Sequence, residues 1–201
     1  MALNKGMIVD EALKLLNESG IDRVSLRELA KRLGVKAPTL YWHVKNKAAL
    51  INEMAERILQ SEFHDLQARG SDEAWQTWLM DVFNRLRRAM RAYTDGGRVV
   101  AGAHLSLSMS DVMETAIRSL LTAGVSLRES RLIALTAQHF TFGFVIEEQT
   151  PPDAEMSEDF DMEQFAKDHP TMMAGIEEYF NAGHTADDLF NDGLKLIIKT
   201  Q

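Results

Sequence analysis

The stretch SLRELAKRLGVKAPTLYWHVKNK, residues 25–47, decides how the first part of this chain folds. Ser25-Leu26-Arg27-Glu28 has the form of a capping box: the serine caps the first amides and the glutamate three residues on reaches back. Leu29, Ala30 and Leu33 give that short helix an inner face. Gly34 ends it, with Val35 beside it in the turn, because glycine accepts a left-handed backbone. Pro38 stands where a first helical turn tolerates proline, and the spacing predicts a short helix over Thr39–Val44. Leu40 and Val44 then face inward, leaving Thr39, Tyr41, Trp42 and His43 outward. This is the pattern of a helix-turn-helix, whose second helix enters the major groove while the first crosses the DNA backbone. Adjacent outward aromatics suit phosphate, sugar and thymine-methyl contact better than a solvated face. The alternative is a surface aromatic patch on an ordinary three-helix head. Lys45 and Lys47 lie beside the expected backbone path, and Arg27 can reach a guanine edge or a phosphate.

The formal net charge of −8 looks wrong for a DNA reader, but its distribution is not. Residues 1–50 carry nine Lys/Arg against five acids, a net +4, and the remaining 151 carry 13 against 25, a net −12. A basic head on an acidic body turns the head toward phosphates.

Outside the head the periodicity is helical almost throughout, with no strand pattern. The 45% of hydrophobic residues suffices for a sizeable core in 201 residues. Met7 to Leu16 forms a first helix stopped by Gly20, and Asn46 caps a fourth that carries Leu50, Ile51, Met54, Ala55, Ile58 and Leu59. Trp75 to Met90 forms the next, closed by Gly96-Gly97. A shorter helix is expected over Val99–His104, another opens at Ser110, and a long apolar one runs from the capping box at Ser126 to about Thr150. Pro151-Pro152 forbids its continuation. The acidic stretch 153–168 reads as a solvated loop with some helix. Pro170 restarts a helix, and Thr185–Asp188 caps the last. The fold class is therefore all-α: a three-helix head over residues 1–47, a core over 48–201, and residues 46–63 as the linking helix.

The chain has no cysteine, which removes disulfides and thiolate chemistry. Residues 1–20 do not read as a signal peptide, and no apolar run approaches a membrane span, so the expected setting is the cytoplasm. There is no Gly-x-Ser-x-Gly elbow, P-loop, dinucleotide fingerprint or His-Glu-x-x-His to support an enzyme; His139 with Glu147 makes at most half of a metal or acid–base site.

The run Thr39-Leu40-Tyr41-Trp42-His43-Val44-Lys45-Asn46-Lys47 closely resembles the recognition segment of the tetracycline repressor (TetR) family. The resemblance extends over residues 5–60 and returns at Asp95-Gly96 and at Gln138–Gln149. It implies an all-α homodimer whose C-terminal core binds a small molecule that releases a palindromic operator. Carried over, the DNA contacts are Arg27, Lys36, Ala37, Pro38, Thr39, Tyr41, Trp42, His43 and Lys47. The chain departs at Lys36-Ala37, where tetracycline repressors have Glu-Gln. Alanine offers only a methyl group where glutamine reads adenine, so a related but altered operator is expected.

The implied ligand positions are Phe63 or His64, Val82, Leu86, Val100, Ala103, His104, Ala116, His139 and Glu147. Val100 replaces the main metal-binding histidine, and valine supplies no ligand atom to a magnesium–tetracycline chelate. The expectation is no metal or other cofactor and a greasier effector oriented by His64, His104, His139 and Glu147. His139 reads equally well as a core histidine, and Glu147 as a solvent-exposed or dimer-contact residue. The helices from Ser126 and from Thr185 are read as the dimer interface by resemblance, or as buried within one subunit. Partners are thus operator DNA, a small effector and a second copy, with no membrane. The competing readings are a dimeric DNA-binding protein without an effector and, remotely, a helical enzyme.

Overall fold

The computed structural model describes residues 3–103, 106–151 and 161–199. Among them are eleven α-helices, one 3₁₀ turn and no strand. The head comprises α1 (Lys5–Ser19), a 3₁₀ turn (Ile21–Arg23), α2 (Leu26–Arg32) and α3 (Ala37–Tyr41). The linking helix α4 spans Lys47–Phe63. The core follows with α5 (Trp75–Arg91), α6 (Gly96–Ala101), α7 (Leu107–Thr122) and α8 (Leu127–Gln149). Helix α9 (Met162–Asp168) falls in the second half of the acidic segment, and α10 (Pro170–Asn181) and α11 (Ala186–Ile198) follow it.

The helix starts follow from side-chain caps. Asn4, Ser25, Asn46, Ser106, Ser126, Asp161 and Thr185 each accept a backbone N–H of the first turn, satisfying donors that have no intrahelical partner. Thr185 and Asp188 close a full reciprocal box. At Ser25 the hydroxyl accepts from the Glu28 amide at 3.2 Å, while the Glu28 carboxylate turns toward Arg32 at 3.9 Å instead of reaching back. Gly34 has φ 66°, and the Val35 amide donates back to the Ala30 carbonyl at 3.0 Å, wrapping the chain tightly off the end of α2.

Four boundaries differ from the sequence expectation. Helix α3 begins at Ala37 and stops at Tyr41, so Trp42 and His43 lie in the turn after it; the Pro38 ring starts the helix earlier than the apolar spacing showed. Gly96-Gly97 opens α6 and does not close α5, which ends at Arg91. A Cβ on Gly96 would collide with the backbone of Met90, so this glycine marks a close chain crossing. Helix α6 occupies Gly96–Ala101 where Val99–His104 was expected, and α7 is capped by Ser106, not Ser110.

Helix α4 is the axis of the molecule. It packs against α1 on the head side and against α5, α6 and α7 on the core side. One continuous hydrophobic core runs from Ile8 and Leu16 through Leu50, Met54 and Ile58 to Phe83, Leu86 and Phe190. Helix α8 packs on α5, α6, α7 and α11, presenting small buried residues, Ser130, Ala134, Ala137 and Thr141, that allow close approach. Helices α9 and α10 pair with each other, and the Tyr179 hydroxyl ties α10 to Asp192 of α11 at 2.7 Å.

Candidate nucleic-acid interface and effector core

The recognition unit is rigid because its inward residues are fully buried. Leu40 is 0% and Val44 2% exposed. That burial fixes what points outward: Tyr41 is 52% and Trp42 88% exposed, and Arg27, Lys36, Pro38, Thr39, His43 and Lys47 are exposed around them. Ala37 is half-buried against the core. Of the nine residues expected to meet DNA, eight therefore lie on α2, on α3 or in the turns flanking α3, and Lys47 is the first residue of α4. Lys47 alone of the lysines in this stretch is tethered, its Nζ donating to the Ile21 carbonyl at 3.3 Å.

The residues expected to line an effector site divide into two groups. Phe63, Val82, Leu86, Val100 and Ala116 are all buried in the continuous core, with Ala103 partly buried against it. His64, His139 and Glu147 are exposed. His64 sits at the C-cap of α4 with its ring Nδ1 3.2 Å from the Gln60 carbonyl. His139 and Glu147 share the outward stripe of α8 with Leu132 and Gly143. The reading of His139 as a core histidine is thereby excluded within one subunit. His104 lies outside the described residues, as does the first half of the acidic stretch read as a loop; its second half, from Met162, is helix α9. Phe63 also faces a cleft of about 200 Å³ between α4 and α7, shared with Gln60, Leu66, Ser108, Asp111, Val112 and Thr115.

Polar contacts that sequence reasoning did not single out tie head to core. The Ile21 amide donates to the Asp95 carboxylate at 2.8 Å, the Thr94 amide to Asn17 Oδ1 at 2.9 Å, and Arg98 pairs with Asp22 at 3.1 Å. The Arg98 guanidinium holds the Asp22 carboxyl below its ordinary value. Between α4 and α7, the Glu56 carboxylate accepts the Ser108 hydroxyl at 2.5 Å and the Ser108 amide at 3.1 Å. Burial pushes the Glu56 carboxyl up, but these hydrogen bonds outweigh it and leave the pKa lowered. Deeper in the core, Arg87 is 4% exposed and reaches Glu148 through two hydrogen bonds of 3.0 and 2.5 Å. It also pairs with Asp187 at 2.8 Å and lies over the Phe190 ring, 4.7 Å from its centroid. Each of these pairings joins residues 52 or more positions apart, and of their members only Asp95 and Glu148 fall in stretches where the resemblance returns.

A basic, aromatic helix-turn-helix carried on an all-helical body defines a DNA-binding regulator. Comparison with known proteins places it more closely. The model for bacterial regulatory proteins of the tetR family matches residues 8–54, and that for the tetracyclin repressor-like C-terminal domain matches residues 69–199. The chain belongs to the TetR family of transcriptional regulators, which are not enzymes. It is 42% identical over 147 residues to the class D tetracycline repressor protein of Escherichia coli, covering 73% of this chain and 67% of that one. It is 35% identical over 196 residues to the class A repressor from transposon 1721 of Escherichia coli, covering 98% and 89%. Its fold also matches that of the regulator BioQ with its double-stranded DNA operator, at a TM-score of 0.67 and 28% identity over 87% of this chain and 98% of that one.

Proposed function

We propose that this protein is a ligand-responsive repressor that binds a palindromic operator as a homodimer and is released by an apolar effector other than magnesium–tetracycline. The observation that carries the DNA reading is the exposure of Tyr41 at the end of an anchored α3 and of Trp42 just after it, flanked by Lys36, Lys45 and Lys47. One such helix reads only a few base pairs, so specificity calls for two heads about 34 Å apart. Large apolar side chains left in water on α8 and α11 support the second copy: Leu127, Leu132, Leu189 and, at 84%, Leu196. Burying such a stripe against its mate is the ordinary use of an exposed apolar face.

The class A repressor is also known in complex with 5a,6-anhydrotetracycline and magnesium. This chain does not fit that chelate. Its core wall of Val82, Leu86, Val100 and Ala116 has no side-chain oxygen or nitrogen, and a hard cation needs oxygen donors. The same wall suits an apolar molecule that opens the packed core between α5, α6 and α7. Because those residues are buried in the core without it, a body that serves dimerisation alone is the second reading.

Selection of bound duplexes from a random pool tests the DNA reading: a two-fold palindrome is expected, and retention of unselected DNA overturns it. Titrating the selected duplex complex with anhydrotetracycline and magnesium tests the ligand reading. The complex is expected to survive, and its dissociation overturns the exclusion.

A further inference from the structure

The segment Tyr93–Gly97, which runs from the turn after α5 into the first residues of α6, is gripped from two sides. On one side is the head: Asn17, Ile21 and Asp22 contact Thr94, Asp95 and Arg98 as described above. Arg98 also reaches Asp95 at 3.5 Å, so one carboxylate receives both the Ile21 amide and a guanidinium. On the other side is a single side chain, Gln149, the last residue of α8. Its Nε2 donates to the Tyr93 carbonyl at 2.8 Å and the Met90 carbonyl at 3.3 Å, and its Oε1 accepts from the Gly97 amide at 2.9 Å.

The turn needs such a clasp. Asp95 has φ 55°, a left-handed backbone that costs a non-glycine residue free energy unless its surroundings hold it. The last carbonyls of α5 and the first amides of α6 have no partner inside their own helices; the Gly96 amide donates to the Tyr93 carbonyl at 3.0 Å, and the Gly97 amide is left to Gln149. Only a primary amide offers donors and an acceptor on one planar group. A carboxylate at position 149 would face two carbonyl oxygens, and an apolar side chain would leave three polar groups of the turn with poorer partners.

We propose that Gln149 is a positioning residue for DNA binding. By clamping the Tyr93–Gly97 segment to the end of α8, it sets the angle at which the head leaves the core. The path is short: Gln149 holds Tyr93 and Gly97, Asp95 between them holds the Ile21 amide, and the Ile21 carbonyl accepts from Lys47, a residue of the DNA face. Helix α8 is also the helix read here as a dimer contact, so the clasp registers each head to the two-fold axis. This last step rests on the homodimer reading of the proposed function.

The test compares the wild type with Gln149→Met and Gln149→Glu. The first readout is hydrogen exchange at the Ile21 amide, which needs neither DNA nor a dimer. Exchange is expected to rise about tenfold or more in both variants while the Leu29 amide inside α2 stays protected. Unchanged Ile21 protection overturns the proposal. The second readout uses the absence of cysteine from the chain: a Lys31→Cys background carries one spin label per head, and the distance between labels in the dimer is measured. A broadened distribution, with selective binding of the palindromic duplex falling about tenfold relative to random duplex, is expected. Lowered thermal stability with an unchanged distance distribution shows a merely structural residue and overturns the proposal. A wild type that gives no label-to-label distance overturns the homodimer reading instead, and leaves Ile21 exchange to judge Gln149 alone.

Discussion

Gly193 of α11 and Phe140 of α8 meet where the two helices cross, the Phe140 ring lying over the bare Cα. A Cβ added at position 193 would stand 3.0 Å from Phe140 Cε2, inside contact distance. The ring cannot yield easily, because it stacks on Phe190 at 5.5 Å and meets Phe144 at 5.6 Å. Gly193→Ala is therefore expected to destabilise by about 1–3 kcal/mol through overpacking, although alanine favours helix. In a chain of this size that lowers the melting temperature by roughly 2–4 °C per kcal/mol, and a scan that shows no decrease would contradict the tight crossing.

Tyr41→Ala with Trp42→Ala separates DNA contact from folding. Both side chains are mostly in water, so far-ultraviolet circular dichroism and sedimentation are expected to match the wild type. Affinity for the selected duplex is expected to fall at least about tenfold, as for the loss of one or more direct contacts.

The Arg87–Glu148 pair is a case where removing one partner is worse than removing both. Arg87→Met alone leaves the half-buried Glu148 carboxylate to the more exposed Arg91 at 3.8 Å, and about 3–5 kcal/mol of destabilisation is expected. Glu148→Met in the same chain is expected to restore much of that loss, measured as a coupling energy in a denaturation cycle.

Glu56 gives a pH dependence. Its folded pKa is lowered, so its contribution is present above the ordinary glutamate value and is lost as pH falls through the folded one. Wild-type melting temperature is expected to drop more steeply than that of Glu56→Gln as pH falls from about 5 to 3. Parallel curves would show that the α4–α7 staple contributes nothing to stability.

The head was legible in the sequence because its determinants are local. Caps, the Gly34 turn, Pro38 and the inward spacing of Leu40 and Val44 act over a few residues, and they fixed in advance which side chains point outward. Helix type and order were legible for the same reason, while the ends of α3, α6 and α7 were not. Those boundaries depend on a proline that starts α3 two residues early, on a glycine that lets α6 begin against Met90, and on Ser106 capping where Ser110 was expected.

Tertiary structure alone decided how the head is held and where the supposed effector residues lie. The pairings Asp22–Arg98, Ile21–Asp95, Gln149–Gly97 and Glu56–Ser108 span 52 to 76 positions, and no local pattern brings such residues together. His139 and Glu147 were placed on the outward stripe of α8 by its rotation, which is set by the close packing of Ser130, Ala134, Ala137 and Thr141 against its neighbours. Sequence determined the local elements and the chemistry on their faces; long-range packing determined which of those faces met one another, because a helix's orientation is set by the partners it buries itself against.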